Sequence, residues 1–130
     1  MPHSTPQILL VEEDPTLMEI TAFRLELLGY EVVKKESAEA ALQWLEKELP
    51  SLIIVEQFLP GIDGVELLNR LSNEVRTSEI PVMLVSANSD LEDVQRAYNA
   101  GADDYLVTPY DPFVLETKVQ RLVSAVCETA

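Results

Sequence analysis

Five short runs rich in branched apolar residues punctuate the chain, at 8–11, 31–34, 52–55, 82–85 and 105–107. Each has the length of a β-strand. Four are apolar almost without interruption, the pattern of strands covered on both faces, as parallel sheets are, whereas the second alternates more and suits an edge. Between the runs, apolar residues recur at helical spacing. Asp14 before Pro15 predicts the cap and first turn of a helix running through Leu17, Ile20, Phe23 and Leu27 and stopping at Gly29. Ser37 predicts the cap of a helix carrying Ala41, Leu42 and Leu45. Asp63 with Glu66, and Ser89 with Glu92, are spaced as capping boxes, and the helix after Ser89 is expected to end at Gly101. Asp111 with Pro112 opens the last helix, through Leu115, Val119 and Leu122.

Strict alternation of strand and helix, with connections of this length, gives right-handed βαβ units. The expected fold is α/β: a doubly wound, five-stranded parallel sheet in the flavodoxin-like order 2-1-3-4-5. At 130 residues the chain fits one domain, predicted over 7–127 after a lead-in at 1–6.

Composition removes several classes of function. No apolar stretch approaches the roughly 20 residues of a membrane-spanning helix, and the first residues lack the basic-then-apolar order of a secretory signal. A soluble, cytoplasmic protein without membrane contact is expected. Cys127 is the one cysteine, which excludes an internal disulfide and disfavours a cysteine metal site. A net charge of −14 repels nucleic acid, so any action on DNA requires another domain.

In an open sheet of this order, ligands bind outside the carboxyl ends of the strands, where strand order reverses. The residues at those ends are Glu12 and Glu13, Glu56, Ser86 and Thr108. Polar residues are common at strand ends, so any one of these could be a solvated surface position. Three acids and a hydroxyl converging on one crevice instead suit a hard divalent cation such as Mg2+.

The segments "ILLVEEDP", "LIIVEQFLPGIDGVELL", "PVMLVSA" and "AGADDYLVTPYDP", in this order and across nearly the whole chain, resemble the receiver domain of two-component response regulators. The resemblance implies that Glu12 and Glu13 stand at the acidic pair that holds Mg2+, and Glu56 at the phosphoacceptor aspartate. It places Ser86 at the switch hydroxyl, Tyr105 at the switch aromatic, and Thr108 at the lysine that bonds phosphoryl oxygens. Ser86 and Tyr105 keep the family's chemistry; Glu56 and Thr108 depart from it. In the family a carboxylate attacks a phosphohistidine while Mg2+ and lysine stabilise the transferring charge. The extra methylene of Glu56 moves the attacking oxygen by about 1.5 Å, and misplacement near 1 Å costs about a hundredfold. Loss of the cationic donor adds a factor of roughly 10²–10³, not necessarily additive. Three glutamates with no fixed cation are expected to titrate as a coupled set with at least one raised pKa, or to bind a cation, with Mg2+ a possible ligand of Glu12, Glu13 and Glu56.

The expectation is therefore a non-enzymatic pseudo-receiver, a phosphorylation-independent interaction module of a two-component phosphorelay. Its partner is a protein or a second copy, an output domain or a histidine kinase, meeting the face of the fourth helix, fifth strand and fifth helix. Asp93, Arg96, Tyr98, Asn99 and Tyr110 are the exposed candidates there. One way to act without phosphate is for Glu56 to imitate a phosphoryl group, reaching toward Ser86 and holding Tyr105 inward. The alternatives are a working phosphotransfer receiver that uses Glu56 or another acceptor, and, more remotely, a metal-dependent phosphatase, for which "VEEDP" and Thr108 offer neither the aspartate nor the lysine. Capping accounts for Asp14 and Asp63, and the carboxylates of "SDLEDV" read as a solvated helix start. Phe23 and Trp44 read as core, and His3 lies in the lead-in.

Overall fold

A computed structural model describes the backbone of residues 5–129 and the side chains of 5–124. Its elements are β1 (Gln7–Val11), α1 (Pro15–Leu27), β2 (Glu31–Lys35), α2 (Ala38–Leu45), β3 (Leu52–Glu56), α3 (Gly64–Ser72), β4 (Val82–Ser86), α4 (Leu91–Ala100), β5 (Asp104–Val107) and α5 (Pro112–Thr129). The five strands form one parallel sheet in the order β2-β1-β3-β4-β5. His3 and most of the predicted lead-in lie outside the described residues, as does the side chain of Cys127.

Alternation along each strand divides the core into two layers. Ile8, Leu10, Leu52, Ile54, Met83, Val85 and Leu106 pack against α1 and α5 through Met18, Ala22, Leu25, Leu115 and Val119. Leu9, Val11, Ile53, Val55, Val82, Leu84 and Tyr105 pack against α2, α3 and α4 through Ala41, Leu67, Leu68 and Ala97. β2, paired on one side only, is part-exposed throughout.

The helix ends follow local chemistry. Asp14 accepts hydrogen bonds from the Thr16 and Leu17 N–H groups at 2.8 and 3.1 Å, and Ser37 accepts from Ala40 N–H at 3.1 Å. Asp111 accepts from Phe113 N–H at 2.7 Å, and Gly101 ends α4 with φ +120°, a conformation glycine adopts without penalty. Asp63 caps α3 by accepting from Glu66 N–H at 2.9 Å, but the Glu66 carboxylate turns to Arg70 instead of completing the box.

Three expectations are corrected. The cap of α4 is Asp90, without a side-chain bond, not Ser89. In α1 the buried face is Met18, Ala22 and Leu25, and Phe23, expected in the core, is 61% exposed. Leu17, Ile20 and Leu27 share its outward side. Apolar residues occupy both faces of this helix, so two stripes satisfy the 3.6-residue period; the one containing small Ala22 is the one that meets the sheet. Tyr110, expected on the face of α4, β5 and α5, is half-buried against the α1 and α5 layer and pairs its hydroxyl with that of Thr21 at 2.7 Å. Trp44 is part-buried and packs on the α2 layer as expected.

Candidate functional site

β1 and β3 are neighbours in register, Val11 beside Val55, and this pairing brings Glu12 and Glu56 together at their carboxyl ends. β1 lies between β2 and β3, so this is the point where strand order reverses. Glu56 is the last residue of β3, not the first beyond it. Its carboxylate accepts from Phe58 N–H at 3.2 Å, and that of Glu12 accepts from Asp14 N–H at 3.1 Å. Burial, joined by the charge and side chain of neighbouring Glu12, pushes the Glu56 carboxyl up to about 7 against the pull of the Phe58 N–H. Burial also raises Glu12, against the N–H of Asp14 and its bond to Glu56. The two carboxyls form a coupled pair, both held above the ordinary carboxylate range.

Glu13 is exposed and, with Glu12 itself, lines a cleft of about 210 Å³ together with Pro15, Met18, Glu19, Lys34 and Glu36. Among the described residues no group of three His, Cys, Asp or Glu is placed to hold a metal ion. The three-carboxylate set expected for Mg2+ is thus not grouped among the described residues. None of the ion pairs among the described residues involves Glu12 or Glu56.

Gly64 fixes the far wall. A Cβ there would lie 2.5 Å from Glu56 O and 2.8 Å from Gln57 Cα, so only glycine lets the first turn of α3 press against the end of β3.

Ser86, wholly buried, ends β4. Its hydroxyl accepts from Asn88 N–H at 3.0 Å, and its carbonyl accepts from Thr108 N–H at 2.9 Å. The Glu56 carboxylate meets the Phe58 N–H rather than the Ser86 hydroxyl, which is held by Asn88 N–H. Thr108, half-buried, precedes Pro109 across a cis peptide bond. Tyr105 points inward, 7% exposed, with its hydroxyl 2.7 Å from Asn88 O and 3.3 Å from the Gln57 amide.

Three residues here escaped the sequence reading. Gln57 follows the register of Ile53 and Val55 into the interior and is 5% exposed; a polar residue continuing a buried alternation was the available signal. Asn88 is bonded through its N–H, its carbonyl and both ends of its amide. Asp104 is buried at the start of β5, pairing with Lys118 at 2.7 Å and with Arg121 and accepting from Tyr105 N–H at 2.8 Å. Nothing local in "GADDY" separates it from Asp103, which accepts from Val82 N–H at 2.8 Å. Tyr98 reaches Asp104 at 3.5 Å, and burial with that negative charge raises the phenol's pKa.

On the expected partner face, Arg96, Tyr98 and Asn99 are exposed, while Asp93 is half-buried between Asn88 and Arg96. No helix among the described residues is long and apolar enough to cross a membrane.

The family model for the response regulator receiver domain matches residues 8–120. The chain is 32% identical over 124 residues to the phosphate regulon transcriptional regulatory protein PhoB of Escherichia coli strain K12, covering 95% of this chain and 54% of that protein. It is equally 32% identical to the DNA-binding dual master transcriptional regulator RpaA of Synechocystis, covering 91% of this chain and 49% of that one. The chain thus spans about half the length of these relatives. A crystal structure of a putative response regulator from Chloroflexus aurantiacus superposes with a TM-score of 0.89 at 34% identity, covering 93% of this chain and 99% of that one.

Proposed function

Because the chain belongs to the receiver domain family of response regulators, we propose that it is a receiver acting as a phosphorylation-independent interaction module. One observation carries this reading. At the position that the family resemblance gives to the phosphoacceptor stands Glu56, beside Glu12 at the neighbouring strand end, and at that of the phosphate-binding lysine stands Thr108. A carboxylate carried one methylene further out, with no lysine at the latter position, lacks the placement and the electrostatic support that phosphoryl transfer needs.

The switch residues support the same reading. Ser86 and Tyr105 are present, and Tyr105 lies inward with its hydroxyl on Asn88 O. The surface of α4, β5 and α5 is then held in one arrangement and offered to a protein partner or a second copy through Arg96, Tyr98 and Asn99. Curated relatives are named as transcriptional regulators. An output unit contacting that face is the kind of partner the reading implies, and the acidic receiver leaves DNA contact to it.

Intact mass after incubation with Mg2+ and a small acyl phosphate tests this. We expect no added phosphoryl group on the natural protein and one on the Glu56→Asp, Thr108→Lys double variant. A phosphorylated natural protein overturns the reading, and mapping the adduct then identifies the acceptor.

A further inference from the structure

Gln57 is an amide in an apolar layer. It sits one residue past Glu56, on the side of the sheet lined by Ile53, Val55 and Leu84, and is almost fully buried. A buried amide is retained only where its hydrogen bonds are met. Its partner is the Tyr105 hydroxyl, 3.3 Å away and 48 residues along the chain.

That hydroxyl has one proton, and the shorter contact, 2.7 Å to Asn88 O, takes it. The amide of Gln57, its oxygen and nitrogen exchanged by half a turn, then donates N–H to the hydroxyl oxygen. Asn88 is itself anchored. Its N–H donates to the Ser86 hydroxyl at 3.0 Å, its side-chain oxygen accepts from Asp90 N–H at 2.9 Å, and its side-chain N–H donates to Asp93. Asp93 passes to Arg96 on α4 at 2.6 Å. The chain of bonds thus joins the end of β3, β5, the loop after β4 and the first turns of α4.

We infer that Gln57 is a positioning residue that, together with Asn88, latches Tyr105 inward, so that the surface of α4 and β5 is set by this bond network rather than by a phosphoryl group. Turning Tyr105 outward breaks two hydrogen bonds at once and leaves a buried amide and a part-buried carbonyl without this partner. The inference rests on the phosphorylation-independent reading and adds to it the device that fixes the state.

The test uses the whole chain labelled with 3-fluorotyrosine, with the Tyr105 resonance assigned by its absence in Tyr105→Phe. A soluble gadolinium chelate then reports exposure of each ring. In the natural protein we expect one protected Tyr105 resonance, unmoved by Mg2+ and acetyl phosphate. In Gln57→Leu we expect either a second Tyr105 resonance or a several-fold increase in its broadening, with the other tyrosines unchanged as the control for folding. Gln57→Met, closer in length, carries the same expectation should the leucine variant not fold. Tyr105 as protected in the folded variants as in the natural protein overturns the latch. Movement of the natural Tyr105 resonance on adding acetyl phosphate overturns the underlying reading instead, so the two failures are distinct.

Discussion

At the residue scale, Glu56 shows how position sets protonation. Burial disfavours its charged form, and the neighbouring Glu12 adds a like charge, so the folded protein holds a proton there up to about pH 7, against an ordinary value of 4.5. Between those values the folded state binds more protons than the unfolded one. Stability that is full below that range is lost as pH rises through about 7, then levels off. Urea unfolding is expected to show the natural protein losing on the order of 1–3 kcal/mol between about pH 5 and 8. Glu56→Gln, which cannot ionise, should show most of that decline removed. An undiminished decline in Glu56→Gln contradicts the assignment to this carboxyl. The strand-end rule made Glu12, Glu56, Ser86 and Thr108 legible in the sequence, because each ends a recognisable apolar run. It could not say that Gln57 reaches Tyr105, since that depends on the direction of a side chain rather than its place in the chain.

At the scale of elements, caps were the most legible feature. Asp14, Ser37, Asp63 and Asp111 each bond the N–H groups their spacing predicted. Where two polar residues adjoin, as Ser89 and Asp90 do, composition does not choose between them. Helix faces were less legible: α1 carries apolar residues on both faces, and its bulkier stripe with Ile20 and Phe23 lies outward. The join between β5 and α5 was not legible at all, because Asp104 is paired with residues 14 and 17 positions away. Its side chain is 5% exposed, while Lys118 and Arg121 are 27% and 62% exposed, so solvent weakens the pairing and the cost of breaking it falls below that of a fully buried ion pair. Asp104→Asn is expected to lower the unfolding free energy by about 1–3 kcal/mol. A change below about 0.5 kcal/mol, the scale of ordinary surface substitutions, would show that the two cations lose nothing by its removal.

For the whole molecule, alternation of five strands with five helices left few topologies open, and the expected order 2-1-3-4-5 is the one the sheet adopts. The net negative charge of the chain works against compactness. With −14 spread over 130 residues, self-repulsion raises the energy of the folded state, and salt screens it. The thermal midpoint should rise between about 0.02 and 0.5 M NaCl, by roughly 4 °C for each 1 kcal/mol of repulsion relieved. A midpoint that falls with salt would mean that the ion pairs outweigh the repulsion.

The central claim is that the state of this receiver does not depend on phosphate. The most direct measurement compares amide spectra of the natural protein and of the Glu56→Asp, Thr108→Lys variant, each with and without Mg2+ and acetyl phosphate. Superimposable spectra for the natural protein are expected, with displaced resonances at Ser86, Asn88 and Tyr105 in the variant alone. Displacement of those same resonances in the natural protein would contradict the claim and identify it as a phosphate-responsive receiver.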